Sequence, residues 1–402
     1  MQLTSVIKRH KIALQIYDVI KYMDLSFWND RRYYYGIMEG LVLIFTVLAF
    51  WIRILPFPGL VGTGDMIAGP DAWYNLRLIE AALANNYEYI TFEAMTLYPS
   101  GQEIHFGPLF TTICAVAATL AGAVTRTAVI DVSGWIPALM GAAMVPVMYW
   151  LGARIGNLKT GLIAALFIAV IGGQYLSRSL YGHLDHHIAE TLLSTLFCLF
   201  YVVALYALKD HKIDFKEYAT LKLPILYGVI CGIAYFLGLL TMPTLVVFGM
   251  FIALFTLVQF IINQRFGKST EYLLVLNAVT FAVVSVCMLL YGLQNMSFNM
   301  YTLSLGLFCV HLALITGTVV LYVISRIIAH KGMPWYYFPA ALIVLMLVGT
   351  GIVAVALPSV YGIAVGSLSN FFMTSAAGTT IAELASWSLD GAFNSFGCGL
   401  LL

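Results

Sequence analysis

Residues 243–263 have the sequence PTLVVFGMFIALFTLVQFIIN, which contains no charged side chain in 21 consecutive positions. A helix that crosses a bilayer needs about 20 predominantly apolar residues, so this stretch predicts a transmembrane helix. Eight further segments of similar composition lie before and after it in the chain. The nine predicted spans are 37–54, 134–153, 160–176, 188–208, 223–240, 243–263, 272–292, 301–325 and 335–357. The sequence therefore predicts an all-α polytopic membrane protein.

The composition supports the same class. Of the 402 residues, 61% are hydrophobic and 10% are charged, against about 25% charged in an ordinary soluble protein. These values exclude a disordered chain, a secreted disulfide scaffold and a soluble globular enzyme. The 20 Lys and Arg residues are too few for a nucleic-acid footprint. We expect membrane lipid around this chain and no nucleic-acid partner.

A tenth apolar segment, 106–125, decides the predicted topology. If it does not cross the bilayer, the loops on one side hold 16 of the 20 Lys and Arg residues. If it does cross, every later loop changes sides and most of the basic residues after it lie outside. Because basic loops are retained in the cytoplasm, we predict that 106–125 does not cross and that it packs on the extracytoplasmic loop.

This topology divides the chain into three parts. Residues 1–36 form a cytoplasmic amphipathic lead-in, 37–357 the transmembrane domain, and 358–402 an extracytoplasmic loop. The first outer loop, 55–133, is long and helical. We expect a multi-pass protein of the cell membrane with a cytoplasmic N-terminus, in which the chemistry is extracytoplasmic.

Three outer segments carry the unusual polar residues. Residues 71–77 (DAWYNLR) place Asp71 after a Gly-Pro turn, where one isolated aspartate is typical of a helix cap. Residues 178–190 (RSLYGHLDHHIAE) contain Asp185 and His187, which in a turn can both reach one cation. A carboxylate with an imidazole suits Mn²⁺, Mg²⁺ or Zn²⁺. Residues 378–383 (GTTIAE) contain Glu383, which by itself is typical of a solvated loop.

The order of these motifs resembles that of the catalytic subunits of oligosaccharyltransferases. Residues 71–77 resemble the first aspartate motif of that family, although Ala72 replaces the usual proline, and 98–101 (YPSG) with 105–110 (HFGPLF) are similar to its next stretch. Residues 178–190 look like the archaeal form of its second acidic motif. Residues 380–383 (TIAE) resemble its archaeal TIxE motif. Together the motifs cover essentially the whole chain and match the N-terminal membrane part of the family.

The resemblance implies a GT-C-type transmembrane bundle and a glycosyltransferase. Such an enzyme moves an oligosaccharide from a polyprenyl (dolichyl) phosphate or diphosphate carrier to Asn in Asn-x-Ser/Thr. Its partners are therefore a lipid-linked oligosaccharide and an acceptor polypeptide. The resemblance also implies a chain truncated relative to the family, which we expect to be the N-terminal part of a catalytic subunit.

The resemblance also implies roles for individual residues. Asp71, Asp185 and His187 are the expected ligands of Mn²⁺ or Mg²⁺, and Asp71 and Glu383 are the expected catalytic carboxylates. Three further residues are expected to contact substrate or phosphate or to support the ligands, namely Arg178, His186 and Thr380.

Two other functions fit the sequence less well. One is another GT-C glycosyltransferase that transfers sugar from a polyprenyl-phosphate donor to a lipid or a hydroxyl. The other is a metal-ion transporter that uses Asp185 and His187, but transport normally needs polar residues near the bilayer midplane, where the predicted spans are nearly free of charge. A non-catalytic scaffold subunit is a third interpretation.

Overall fold

The structure, a computed structural model, describes residues 31–67, 69–362, 365–366 and 388–396. The lead-in up to residue 30, most of the loop 358–402, and the predicted site residues Thr380 and Glu383 lie outside the described residues. The helices are, in chain order, α1 (Arg31–Arg53), α2 (Phe57–Leu60), α3 (Pro70–Ala84), α4 (Leu109–Leu120), α5 (Arg126–Ser133), α6 (Trp135–Ile155), α7 (Leu158–Val170), α8 (Gln174–Ser177), α9 (His187–Leu208), α10 (Tyr218–Thr241), α11 (Val246–Phe266), α12 (Glu271–Tyr291), α13 (Leu305–His330), α14 (Tyr337–Ala356) and α15 (Leu389–Phe396). A 3₁₀ turn at Pro243–Leu245 joins α10 to α11.

The segment 55–133, which we call the first outer loop after its predicted position, also contains a small hairpin. Strand β1 (Phe92–Glu93) pairs antiparallel with strand β2 (Gln102–Glu103), so that Phe92 faces Glu103. Arg77 of α3 fixes this hairpin, because its Nε and Nη2 atoms donate to the two carboxylate oxygens of Glu93 at 2.8 and 3.1 Å. These hydrogen bonds lower the pKa of Glu93.

The described residues contain eight helical stretches that are long and apolar enough to cross a membrane. They correspond to eight of the nine predicted spans. The ninth, 160–176, is the 13-residue helix α7, which is about 20 Å long at 1.5 Å per residue. A hydrocarbon core is about 30 Å thick, so α7 alone is shorter than a span and the extended residue Ile171 follows its end.

The contacts of α7 show its direction in the bundle. Near its start, Gly161 lies so close to α6 that an added Cβ would be 2.3 Å from the Tyr149 carbonyl oxygen. Near its end, the Ala169 carbonyl accepts a hydrogen bond from Arg53, the last residue of α1. Helix α7 therefore returns the chain to the end of the bundle where α1 finishes.

Segment 106–125 forms α4, whose 12 residues span only about 18 Å. Its buried residues pack with those of α3, as Phe110 and Cys114 share a cluster with Leu76 and Ile79. Helix α4 therefore packs on α3, another helix of the same segment 55–133, while the side of the membrane on which both lie stays a prediction.

Two other buried clusters hold the bundle together. The larger one includes Phe197 of α9, Tyr235 of α10 and Phe281 of α12. The smaller one joins α1, α6 and α7 through Val42, Val145 and Ala165. The cluster beneath α3 and α4 also includes Leu184 and Ile188, and it therefore attaches the first outer loop to the start of α9.

Candidate metal centre

The candidate site lies in the turn that leads into α9. Gly182 has a φ of 81°, a left-handed conformation that glycine adopts without steric cost. Its N–H donates to the Gly134 carbonyl at 3.2 Å, and the Asp185 N–H donates to the His183 carbonyl at 2.9 Å. The turn aims Asp185 into the protein, where only 2% of the residue is exposed.

Three consecutive side chains form a compact cluster. One ligand atom from each of Asp185, His186 and His187 lies within 4.8 Å of the other two. His186 Nδ1 is 3.1 Å from Asp185 Oδ1, and His187 Nε2 is 3.6 Å from Asp185 Oδ2. On the far side of the His187 ring, Nδ1 is 3.1 Å from Glu190 Oε2. A carboxylate at that position is typical of the groups that orient metal-binding histidines.

The cluster contains unsatisfied polar atoms. Within the described residues, Asp185 Oδ1 and both ring nitrogens of His186 are buried and have no hydrogen-bond partner. Although His186 Nδ1 and Asp185 Oδ1 are close, they are not aligned as a hydrogen bond. Buried polar atoms normally find a partner. The Asp185 oxygen and the unprotonated ring nitrogen of a neutral His186 fit the ligand set of a divalent cation.

One guanidinium and three imidazoles surround the Asp185 carboxylate. Arg178 Nη1 donates to Asp185 Oδ2 at 3.0 Å, and His183 Nε2 is 3.8 Å from the same oxygen. Burial by itself would raise the pKa of Asp185. The nearby imidazoles of His183, His186 and His187 outweigh burial and lower that pKa. The carboxylate is therefore ionised, as a metal ligand must be.

Sequence reasoning missed the aromatic support of this cluster. The ring of Phe106 is 4.4 Å from that of His186 and 4.2 Å from that of His105, measured between centroids. The loop is held by the Gly107 N–H, which donates to the Thr241 carbonyl at 2.9 Å. The stretch HFGPLF was visible in the sequence, but nothing in it indicated that the loop contacts His186.

The structure brings together some of the predicted site residues. Asp185 and His187 lie in one cluster, and Arg178 contacts Asp185. His186, which we expected in a supporting or substrate-binding role, is itself a member of the cluster.

Asp71 is not a member of the cluster. It is exposed in the first turn of α3, although the next residue, Ala72, packs in the same buried cluster as Leu184 and Ile188. Asp71 therefore lies on a helix that packs against the start of α9, but it contributes no ligand atom to the Asp185–His186–His187 cluster.

Helix α15 reaches the same region from the C-terminal side. It begins six residues after Glu383 and packs on the segment before Arg178, where an added Cβ on Gly173 would be 2.1 Å from the Ser395 carbonyl oxygen. Such an approach leaves room only for glycine.

Comparison with known proteins identifies similar sequences and folds. The family model described as "Oligosaccharyl transferase STT3, N-terminal" matches residues 61–393. The chain is 25% identical over 368 residues to the dolichyl-monophosphooligosaccharide–protein glycotransferase AglB of Haloferax volcanii, covering 87% of this chain and 34% of that protein. It is 27% identical over 261 residues to dolichyl-phosphooligosaccharide-protein glycotransferase 3 of Archaeoglobus fulgidus, covering 65% of this chain and 30% of that protein. The chain thus spans about a third of the length of these relatives.

Solved structures show the same architecture. The archaeal oligosaccharyltransferase AglB of Archaeoglobus fulgidus, in complex with an inhibitory peptide and a dolichol-phosphate, superposes with a TM-score of 0.80 at 25% identity. That match covers 90% of this chain and 43% of the other. The Archaeoglobus fulgidus oligosaccharyltransferase in complex with Zn and sulfate gives a TM-score of 0.69 at 26% identity, covering 78% of this chain and 39% of the other.

Proposed function

The chain belongs to the STT3 oligosaccharyl transferase family, and we propose that it is the N-terminal part of a catalytic subunit that glycosylates asparagine. The donor is an oligosaccharide on a dolichyl phosphate or diphosphate, and the acceptor is Asn in Asn-x-Ser/Thr. The observation that carries this proposal is the Asp185–His186–His187 cluster, whose buried atoms include three without a hydrogen-bond partner among the described residues. It lies in the second acidic motif of a chain with the archaeal relatives' fold.

The residues that would hold the cation are Asp185, His187 and His186, with Asp71 of the neighbouring helix α3 as the further expected ligand. When bound, Mn²⁺ or Mg²⁺ supplies positive charge against the phosphate leaving group. The protein's own contribution is to hold the Asp185 carboxylate through Arg178 and to orient His187 through Glu190.

The acceptor amide needs activation because its nitrogen lone pair is delocalised over the carbonyl. Full loss of that resonance costs about 18–20 kcal/mol. In our proposal, Asp71 and Glu383 accept hydrogen bonds from the two amide N–H groups and favour a polarised or twisted amide. The nitrogen then forms a bond to the anomeric carbon of the glycan, the bond from that carbon to the phosphate oxygen breaks, and one amide proton leaves to a carboxylate or to water.

The proposal places the transfer on the extracytoplasmic side of the cell membrane, with the N-terminus in the cytoplasm. It is supported by the positions of the motif-bearing segments, since the end of α1, the first outer loop and the start of α9 meet at one end of the bundle. The Archaeoglobus structures hold a dolichol-phosphate or, in another case, an acceptor peptide with an NVT sequon. We infer the same two partners for this chain.

A transfer assay with the complete native polypeptide tests the function. Purified protein is mixed with lipid-linked oligosaccharide from its own membranes, Mn²⁺ and a fluorescent peptide containing Asn-x-Thr. The glycopeptide product is quantified by its mobility shift in gel electrophoresis. We expect product with this peptide and none with the matched peptide that carries Gln in place of Asn. Transfer to a lipid or to Ser in place of Asn would contradict the proposal.

Asp185→Asn tests the role of the cluster in the same assay. The substitution removes the negative charge and keeps the shape, so we expect transfer to fall by on the order of 10²-fold. Asp210→Asn is the matched control, because Asp210 is exposed beyond the opposite end of α9. Equal activity of the two variants would exclude Asp185 from the site.

A further inference from the structure

Arg53 is a buried cation that the proposed reaction does not use. It is the last residue of α1, and none of its surface is exposed. Burying a charged side chain costs free energy unless its donors are hydrogen-bonded, and ionisable residues inside membrane helices commonly mark functional sites. In the described part of the chain, Arg53 forms no ion pair with an acidic side chain.

Every guanidinium nitrogen of Arg53 donates to a neutral acceptor. Nη1 donates to the carbonyls of Ala49 at 2.9 Å and Ala169 at 3.2 Å. Nη2 donates to the Ile168 carbonyl at 3.4 Å, and Nε donates to Ser179 Oγ at 2.9 Å. The planar fork of arginine thus connects α1, the end of α7 and the segment before the metal cluster.

The surroundings of Arg53 are shaped to its side chain. An added Cβ on Gly141 of α6 would be 2.5 Å from Arg53 Nε and 2.7 Å from the Ser179 Cβ. The guanidinium carbon lies 5.1 Å from the centre of the Tyr175 ring, within the range of a cation–π contact. A side chain larger than that of glycine at position 141 would clash with Arg53 and Ser179. These two residues are therefore closely packed between α1, α6 and α7.

The same residue holds the chain that leads to Asp185 at two points. Besides the bond to Ser179 Oγ, the Arg53 carbonyl accepts a hydrogen bond from the Tyr181 N–H at 2.8 Å. Arg178, directly before this pair of anchors, donates to Asp185. A movement of residues 179–181 would therefore move both Arg178 and the turn that presents Asp185.

We propose that Arg53 is a positioning residue that sets the cation affinity of the Asp185–His186–His187 cluster by clamping residues 179–181. It touches neither substrate nor cation and acts through Ser179, Tyr181 and Arg178. The inference rests on the proposed metal site, and it adds a residue that lies outside the motifs from which that site was predicted.

The test compares Mn²⁺ affinity with stability. Mn²⁺ binding to the complete native polypeptide in detergent is measured from the free-ion signal in electron paramagnetic resonance, and Tm is measured without metal. We expect Arg53→Met to weaken Mn²⁺ binding by about 10-fold or more, the usual range for supporting groups of a metal site. Arg53→Lys keeps the charge but lacks the fork, so its affinity should fall between those of the wild type and Arg53→Met.

Two further variants separate positioning from loss of folding. Ser179→Ala deletes one acceptor without removing a buried charge and should weaken Mn²⁺ binding in the same direction even if Arg53→Met fails to fold. Asn277→Ala is the stability control, because it breaks a buried network remote from the cluster, in which Asn277 bonds Tyr201 and Thr256 at 2.7 and 2.8 Å. It should lower Tm and leave the Mn²⁺ affinity within twofold of the wild type.

These measurements distinguish failure of the Arg53 positioning role from failure of the metal site itself. In one outcome the wild type binds Mn²⁺, and Ser179→Ala and every Arg53 variant that folds bind Mn²⁺ as tightly as the wild type. The positioning role is then refuted, while the metal site stands. If Asn277→Ala loses affinity as strongly as Arg53→Met, Arg53 acts only through global stability and the inference also fails. If the wild type binds no Mn²⁺, the metal part of the proposed function is wrong, and the inference fails with it.

Discussion

At the scale of single residues, the candidate site depends on how buried lone pairs are satisfied. Among the residues that the structure describes, three buried polar atoms of Asp185 and His186 have no protein partner, and each such atom would cost about 1–3 kcal/mol if it stayed unpaired. Sequence spacing predicted Asp185 and His187 as neighbours. It did not predict His186 as a third member, because adjacent residues at the start of a helix usually point in different directions, and here the ring of Phe106 packs against His186.

Asp71 and Glu383 are the two carboxylates that we propose activate the acceptor amide. We expect Asp71→Ala and Glu383→Ala each to reduce glycan transfer by the complete native polypeptide by about 10²-fold or more, because each removes an acceptor for the substrate amide N–H. Initial rates of glycopeptide formation measure the effect. Asp65→Ala, which alters an exposed residue of the same outer loop, should keep normal activity, and near-normal rates for Asp71→Ala would refute its role.

At the scale of elements, the first outer loop is held against the bundle by backbone contacts that only glycine permits. Gly107 bonds Thr241 at the end of α10, and an added Cβ would lie 1.9 Å from the Leu240 carbonyl oxygen. This contact fixes Phe106, and Phe106 in turn contacts His186. The position of α10 is thereby coupled to the cluster at the start of α9.

Gly107→Ala should therefore disturb both packing and activity. Overpacking of this kind costs about 1–3 kcal/mol, and we expect a lower Tm together with slower glycan transfer, since Phe106 must shift away from His186. Thermal unfolding and transfer rates are measured on the same preparations. Gly59→Ala serves as the control because nothing lies within 4 Å of its added Cβ; equal behaviour of the two variants would show that the loop contact is dispensable.

At the scale of the whole molecule, the architecture is an all-α polytopic bundle of the GT-C type, as predicted. Eight described helices are long and apolar enough to cross a membrane, and the fold matches the membrane part of archaeal oligosaccharyltransferases. The direction of α7 brings the end of α1, the first outer loop and the start of α9 to one end of the bundle. The side of the membrane on which this end lies is a prediction from the basic residues.

Cysteine labelling tests that sidedness. Val124 is 93% exposed and lies between α4 and α5. The cysteine of the variant Val124→Cys should react with a membrane-impermeant maleimide in intact cells. Asp210→Cys, beyond the other end of α9, should react only after the membrane is opened, because it lies in a basic loop. The parent protein, with its native cysteines alone, gives the background. Labelling of Asp210→Cys in intact cells would overturn the predicted topology.

The sequence by itself determined the class of the molecule, most helix positions and the segments that we propose carry the chemistry. Apolar length and the placement of Lys and Arg are local properties, and the transfer of side chains between water and lipid depends on them directly. The short motifs likewise named Asp185 and His187, because residues two positions apart cannot be far apart in space.

Only the tertiary structure decided which distant residues meet. The contact of Phe106 with His186, the burial of Arg53 beside Ser179 and the exposed position of Asp71 outside the cluster all depend on how separate helices pack. Arg53 is separated from Ser179 by 126 positions, and hydropathy indicated only that it lies near the end of a span. Packing joins such residues because a buried charge or lone pair needs a partner, and the fold determines which partner is within reach.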